Sequence, residues 1–181
     1  MSAKAASADA RSSGLDEAAL HRLYVDKEKA LYNVVYRWVW NAEEAQDVVQ
    51  EAFVKLWAAR SRIDPSTVEP YLYRTALNLA SNRRRRNKLW RWLGLEALDE
   101  SPSGAQSAEH TLAAEQRRLR VREAVERLPE KQRRVVLLAE FSGLSYGDIA
   151  LTLGVPEGTV ASRRNSALQK LRQLLAGEDD D

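Results

Sequence analysis

Cysteine is absent from the 181-residue chain, and histidine occurs only twice. The lack of thiols excludes disulfides, thiolate chemistry and the common structural zinc sites, and it is typical of proteins from a reducing compartment. His21 and His110 stand apart, with no nucleophile, metal-ligand cluster or phosphate-binding loop beside either of them. We therefore expect a protein that is not an enzyme and that binds no metal or cofactor.

Long apolar runs are also missing. The first 14 residues, MSAKAASADARSSG, are small and polar, and no segment approaches the roughly 18 apolar residues of a membrane span. We expect a disordered tail over residues 1–14, a short acidic tail over residues 177–181, no membrane insertion and a cytoplasmic location.

The excess of charge is small, at +2 for the whole chain, so net charge alone does not predict nucleic-acid binding. The distribution of that charge is more informative. The segment from Tyr71 to Arg91 contains no acid and carries Arg74, Arg83, Arg84, Arg85, Arg86, Lys88 and Arg91. A localised basic stretch suits a phosphate backbone, although a solvated helix end has the same composition.

Helical periodicity dominates what the sequence does contain. In AEEAQDVVQEAFVKLW the apolar residues recur at three- and four-residue steps, and they predict a core-facing stripe of Ala45, Val48, Val49, Ala52, Phe53, Leu56 and Trp57. Asn41 is the predicted N-cap of this helix, with Glu44 as its reciprocal partner. No alternating strand pattern occurs. The sequence predicts an all-α fold of two small helical modules joined by a linker.

The boundaries of these modules follow from turn residues. A three- or four-helix bundle is predicted over residues 15–87, with Pro65 in a turn and Pro70 in the first turn of its last helix. Periodicity lapses over residues 88–111, where ALDESPSGAQSAEH has the composition of a linker. The second module is predicted over residues 112–176.

The stretch SYGDIALTLGVPEGTVASRR predicts a helix-turn-helix inside the second module. Ser145 and Asp148 form a capping signal, Gly154 supplies a positive φ for the turn, and Pro156 suits the start of the next helix. The second helix of such a motif enters the major groove of DNA. Its outward face would present Thr159, Ser162, Asn165, Ser166 and Gln169, with Arg163 at the margin. Ordinary helical hairpins also carry an Ala-x-x-x-Gly spacing, so the motif alone leaves both possibilities open.

Three segments of the chain, in order, resemble the extracytoplasmic-function (ECF, group 4) sigma factors of the sigma-70 family, the dissociable promoter-specificity subunits of bacterial RNA polymerase. AEEAQDVVQEAFVKLW is similar to their region 2.2 and YLYRTALNLASNRRRR to regions 2.3 and 2.4. LPEKQRRVVLLAEFSGLSYGDIALTLGVPEGTVASRRNSALQKLR is similar to region 4. The resemblance implies a transcription initiation factor that binds core polymerase, recognises minus-10 and minus-35 promoter elements, and assists promoter melting.

The resemblance also implies roles for individual residues. The residues that would contact the β′ clamp of core RNA polymerase are Gln46, Asp47, Gln50 and Glu51. Region 4 would contact the β flap. The minus-10 element would be bound by Tyr71, Arg74, Asn78, Ser81 and Asn82, with Arg83, Arg84, Arg85 and Arg86 on phosphates. The minus-35 element would be bound by Thr159, Ser162, Arg163, Arg164, Asn165 and Ser166. A further expected partner is an anti-sigma factor or another regulator.

Several positions depart from the family pattern. Gln46 stands where an acid is common, Leu77 and Asn82 where Arg and Asp are frequent, and Ala161 and Ser166 where basic residues are common. The promoter preference of the family is therefore not transferable to this chain. Arg164 replaces an apolar residue on the inward face of the recognition helix, and we expect its stem to cover the hydrophobic core while its guanidinium reaches a phosphate.

Two other functions fit the same residues. One is an ordinary helix-turn-helix regulator that acts without core polymerase. The other is a sigma-like decoy that sequesters an anti-sigma factor and never contacts a promoter.

Overall fold

The computed structural model describes residues 15–92 and 108–176. The predicted N-terminal and acidic tails and most of the predicted linker lie outside these ranges. Across the described residues the chain forms seven α-helices and two short 3-10 turns, with no strand. The prediction of an all-α fold is confirmed.

The first module contains three long helices. They are α1 (Glu17–Val39), α2 (Ala42–Ala59) and α3 (Val68–Trp92), and 3-10 turns over Arg60–Arg62 and Pro65–Thr67 join α2 to α3. The second module contains α4 (Ala108–Glu126), α5 (Glu130–Phe141), α6 (Tyr146–Leu153) and α7 (Glu157–Ala176).

Both ends of the predicted linker, residues 88–111, are helical. Helix α3 continues beyond residue 88 to Trp92, and α4 begins at Ala108. The extra length of α3 has a local reason, because lysine, leucine and arginine in this stretch are good helix formers and no glycine or proline occurs between Pro70 and Gly94.

Side chains cap the first two helices. The Asp16 carboxylate accepts a hydrogen bond from the Ala19 amide at 2.6 Å, and the Asn41 side-chain oxygen accepts one from the Glu44 amide at 2.8 Å. The predicted return bond from Glu44 to its cap does not form. Instead, the Glu44 carboxylate accepts a hydrogen bond from the Asn87 amide group at 2.6 Å, so this residue ties α2 to α3.

The predicted stripe of α2 faces the hydrophobic core with one exception. Phe53 and Leu56 are buried as predicted. Trp57 is only half-buried, and the Arg60 guanidinium carbon lies 3.9 Å from the centre of its ring. The prediction of Trp57 as a core residue is wrong, because it lies at the edge of the stripe, where a cation covers the ring.

The two modules share one hydrophobic core. Helix α1 packs against α5, and α3 packs against α6. Buried residues of both modules belong to a single cluster, which includes Trp38, Leu72, Leu77, Val135, Leu138 and Ile149. The polar contacts across this boundary involve several predicted DNA-binding residues.

Candidate nucleic-acid interface

Helices α6 and α7 form the predicted helix-turn-helix. Ser145 caps α6, because its hydroxyl accepts a hydrogen bond from the Asp148 amide at 3.1 Å and donates to the Asp148 carboxylate at 2.5 Å. Gly154 ends the helix with φ 65° and ψ 42°, as predicted. The Val155 amide then donates to the Ala150 carbonyl at 3.1 Å, which satisfies a carbonyl at the helix end.

Helix α7 divides into a buried and an exposed face. Val160 and Ala167 are fully buried and fix the helix against the rest of the module. Among the predicted minus-35 residues, Ser162, Asn165 and Ser166 are exposed, whereas Thr159, Arg163 and Arg164 are half-buried. The structure therefore brings short polar side chains together on the outer face of the recognition helix.

Arg164 binds a carboxylate of its own module. Its Nε and Nη2 atoms lie 2.9 and 2.6 Å from one carboxylate oxygen of Glu140 in α5. This hydrogen-bonded pair raises the pKa of the Arg164 guanidinium. A contact from Arg164 to a phosphate, as predicted from its position, would require the pair with Glu140 to separate.

Predicted minus-10 residues form a stripe along α3. Tyr71, Arg74, Asn78, Asn82 and Arg85 recur at three- and four-residue steps and lie on one side of the helix. All of them are exposed except Tyr71, which is half-buried. Ser81 is different, because only 5% of it is exposed.

The run of four arginines in α3 divides into two pairs. Arg83 lies 3.2 Å from the Asp47 carboxylate and 3.5 Å from the Glu51 carboxylate, both in α2. Arg84 donates to the carbonyl of Trp38 at 3.4 Å. Arg85 and Arg86 are exposed and make no ion pair within the described residues. Only the second pair is free to meet phosphates without breaking contacts of the bundle.

The predicted polymerase-binding residues lie on the surface of α2. Gln46, Asp47 and Gln50 are exposed, and Glu51 is half-buried beside Arg83. Gln46 and Gln50 line a groove of about 360 Å³ between α1 and α2, together with Tyr24, Glu28, Lys29, Tyr32 and Val49. The two tyrosines were not identified from the sequence. Their eight-residue spacing, two turns of one helix, was the available signal.

Within the described residues, four side chains of α3 form hydrogen bonds with the second module. Arg74 donates from Nε to the Thr152 carbonyl at 2.9 Å and from Nη2 to the Leu151 carbonyl. The buried hydroxyl of Tyr73 donates to the Ser142 carbonyl at 3.1 Å, and its burial raises the pKa of the phenol. The remaining two, Asn78 and Ser81, bind Arg134 of α5.

The described ranges contain neither a metal-binding cluster nor a membrane-spanning helix. No group of three or more histidine, cysteine, aspartate or glutamate residues there could hold a metal ion. No helix in the same ranges is long and apolar enough to cross a membrane.

Comparisons with known proteins agree with this geometry. The family model for Sigma-70 region 2 matches residues 23–89, and that for Sigma-70, region 4 matches residues 118–171. The chain is 33% identical over 175 residues to the RNA polymerase sigma-H factor of Pseudomonas aeruginosa, covering 90% of this chain and 91% of that protein. It is also 33% identical over 147 residues to the ECF RNA polymerase sigma factor SigE of Mycolicibacterium smegmatis, covering 81% of this chain but only 57% of that relative.

Among solved structures, the chain is similar to the sigma factor RpoE in complex with the anti-sigma factor NepR from Bartonella quintana. The match has a TM-score of 0.63 at 23% identity and covers 86% of this chain and 96% of the other. This likeness supports the fold. The family models, the similarity to sigma-H over 90% of this chain and a 33% identity to the ECF RNA polymerase sigma factor SigL of Mycobacterium tuberculosis, covering 88% of this chain and 90% of that protein, show the family. The chain belongs to the ECF sigma factors of the sigma-70 family, which are transcription initiation factors.

Proposed function

We propose that this protein binds core RNA polymerase and directs it to promoters by contacting the minus-35 element through α7 and the minus-10 element through α3. The observation that carries the proposal is the presence, in one chain, of an exposed polar recognition helix and an exposed basic stripe on a second helix. The first suits a duplex groove and the second suits a separated strand.

Minus-35 recognition is assigned to the outer face of α7. Asn165 and Ser166 are exposed and have no side-chain hydrogen bond within the described residues, so their polar atoms are free to meet base edges. The Ser162 hydroxyl donates to the Thr159 carbonyl of its own helix at 3.1 Å, and it can still accept a hydrogen bond. Arg163 at the margin of this face is placed to hold a phosphate.

Minus-10 recognition is assigned to the stripe on α3. Strand separation needs a pocket for an unstacked base and a basic track for the backbone. The groups for bases are the aromatic ring of Tyr71, the amides of Asn78 and Asn82 and the hydroxyl of Ser81. Positive charge for phosphates comes from Arg74, Arg85 and Arg86. Arg83 and Arg84 take part only if they leave their contacts with α2 and α1.

Polymerase binding is assigned to the exposed face of α2 and the adjoining groove. Gln46, Asp47, Gln50 and Glu51 would contact the β′ clamp, and the second module would contact the β flap. On this proposal, catalysis belongs to the polymerase and the chain works in the cytoplasm without a cofactor. The proposed second partner is an anti-sigma factor, because the similar RpoE chain was solved with one.

Run-off transcription with purified core polymerase on a randomised promoter library tests the proposal. We expect transcripts that depend on the protein and that share two conserved elements separated by a fixed spacer. Transcripts that are indifferent to the protein, while it binds promoter DNA by itself, would instead indicate a regulator that acts without core polymerase. Binding to neither DNA nor polymerase would indicate a decoy.

A further inference from the structure

Helices α2 and α3 are joined by a row of polar contacts inside the first module. Glu44, Asp47 and Glu51 recur at three- and four-residue steps, so they share one face of α2. Asn87 in α3 donates to the Glu44 carboxylate at 2.6 Å. Arg83, one turn earlier in α3, contacts both Asp47 and Glu51. A residue that the sequence assigns to phosphates is therefore paired with two residues that it assigns to polymerase.

Arg83 bridges these two carboxylates with separate nitrogens. Its Nη1 atom lies 3.2 Å from an Asp47 carboxylate oxygen, and its Nη2 atom lies 3.5 Å from a Glu51 carboxylate oxygen. The Nη1 atom also donates to the Glu44 carbonyl at 3.4 Å. Only 19% of the Arg83 side chain is exposed, against 58% for Asp47 and 41% for Glu51. The guanidinium is thus the most covered member of the cluster, and the carboxylates remain open to a partner.

The position of this cation offsets a repulsion between like charges. Asp47 and Glu51 stand four residues apart in α2, a spacing at which two carboxylates repel each other. A guanidinium between them removes that repulsion, and its rigid planar fork binds both in fixed directions. The Oδ1 atom of Asp47 accepts no hydrogen bond within the described residues, so it is left for a donor of another molecule.

A phosphate contact for Arg83 fits this cluster poorly. A phosphate bound to the same guanidinium would lie close to the carboxylates of Asp47 and Glu51, and like charges repel. Arg85 and Arg86 differ, because both are exposed and neither makes an ion pair within the described ranges. The surroundings of Arg83 therefore favour a role on the α2 side of the bundle.

We propose that Arg83 is a positioning residue for polymerase binding and not a promoter contact: it holds the Asp47 and Glu51 carboxylates in the directions in which they meet cationic groups of core polymerase. The inference rests on the proposed function of α2. It adds that one member of the arginine run serves the other interface and that the two carboxylates act as a preorganised pair. Side chains that are fixed before binding lose less conformational entropy when the complex forms.

Titration of fluorescently labelled core polymerase with the full chain, in the absence of DNA, measures the effect of Arg83→Gln. We expect an affinity about tenfold weaker, because the two carboxylates lose their fixed directions and repel each other. Lys88→Gln is the matched control for charge. It removes one exposed cation that has no ion pair within the described residues from the same helix, and its affinity should be unchanged. Equal affinities for the two variants, both with unchanged helicity, would overturn the inference.

Asn87→Ala distinguishes positioning from a merely structural link between α2 and α3. It removes the hydrogen bond to Glu44, which joins the same two helices one turn away, and it leaves Asp47 and Glu51 paired with Arg83. Positioning predicts that this variant keeps its affinity for core polymerase while its free energy of unfolding falls. A loss of affinity as large as that of Arg83→Gln would show that Arg83 acts only by joining the helices.

A combined variant separates this inference from the proposed function. Asp47→Asn with Glu51→Gln removes the charges that Arg83 positions, and it should itself weaken binding to core polymerase. Addition of Arg83→Gln should then change the affinity by less than about twofold, because the arginine has no carboxylate left to hold. A further tenfold loss would overturn the inference alone. Unchanged binding by the carboxylate variant would refute the assignment of α2 to polymerase, and the inference with it.

Promoter opening tests whether Arg83 also contacts phosphates. With enough Arg83→Gln protein to saturate core polymerase, the permanganate reactivity of promoter thymines should match that of the unaltered holoenzyme. Reduced opening by the saturated holoenzyme would return Arg83 to the phosphates and overturn the inference. If Arg83→Gln does not fold, Arg83→Lys replaces it, because a compact ammonium keeps the charge but lacks the fork that bridges both carboxylates. The same outcomes apply to that variant.

Discussion

Replacement of Gly154 by alanine tests whether the turn before the recognition helix α7 requires a residue that tolerates a positive φ. Gly154 has φ 65° and ψ 42°, a conformation that costs an ordinary L-residue about 1–2 kcal/mol. An added Cβ would meet no heavy atom within 4 Å, so backbone strain is its only cost in the folded state. Alanine also restricts the unfolded chain more than glycine does, and this lower conformational entropy stabilises the folded state by about 0.4–1 kcal/mol. We expect a net loss of about 1 kcal/mol in the free energy of unfolding.

Gly158 is the matched control for this substitution. It lies in the first turn of α7 without a positive φ, and a Cβ there would also enter open space. Alanine is the better helix former by up to about 1 kcal/mol. Gly158→Ala should therefore leave the stability unchanged or raise it, so the two glycines respond with opposite signs to the same chemical change.

Urea titration followed by circular dichroism measures the free energy of unfolding of both variants, and thermal scans followed in the same way measure their melting temperatures. For a chain of this length, a loss of 1 kcal/mol lowers the melting temperature by about 2–4 °C. Gly154→Asn should fall between glycine and alanine, because asparagine tolerates a positive φ better than most residues. If Gly154→Ala were as stable as Gly158→Ala, the reasoning about this turn would be refuted.

Three further predictions concern the proposed interfaces. Asp47→Arg should weaken assembly with core polymerase, measured by co-purification, because it reverses a charge on the exposed face of α2. Asn165→Ala should alter base preference at one promoter position by about 1–3 kcal/mol. Arg163→Ala should instead weaken binding to all promoter sequences alike and make the affinity less dependent on salt concentration. DNA titrations of the holoenzyme measure both effects. Joint replacement of Arg85 and Arg86 by alanine should reduce promoter opening, read from permanganate reactivity of thymines, and the reduction should be largest at low salt, where phosphate contacts contribute most.

The first of these predictions has a matched control, and each of the three has its own contrary result. Asp47→Asn removes the ion pair with Arg83 without introducing repulsion, so it reports how much of any loss comes from the bundle rather than from the interface. Unchanged co-purification of a well-folded Asp47→Arg would refute the α2 assignment. A uniform loss across sequences from Asn165→Ala would exclude base reading by that residue. Unaltered opening would leave Arg85 and Arg86 as a solvated part of α3.

The parts of the fold that could be predicted depend on neighbours in sequence. The caps at Asn41 and Ser145 and the positive φ of Gly154 are set within four residues, and each was found in the structure. Helical periodicity likewise identified the buried face of α2, with the exception of Trp57. These features need no knowledge of how the helices are arranged.

The parts that could not be predicted depend on partners far along the chain. Arg164 meets Glu140 24 residues away, and the Glu44 carboxylate takes a hydrogen bond from Asn87 43 residues away rather than returning to its own cap. The contact between Arg134 and Ser81 spans 53 residues. A basic residue in a sequence pattern does not reveal whether its charge is already paired, and only the packing of α3 against α5 and α6 shows that part of the minus-10 stripe is occupied.

Titration of one labelled promoter at about physiological salt, with the protein alone and with the protein plus core polymerase, tests the central claim most directly. The small net charge predicts that the free protein binds duplex promoter poorly. We expect tight, sequence-specific binding only when core polymerase is present. Tight and specific binding by the protein alone would contradict the account and indicate a helix-turn-helix regulator that needs no polymerase.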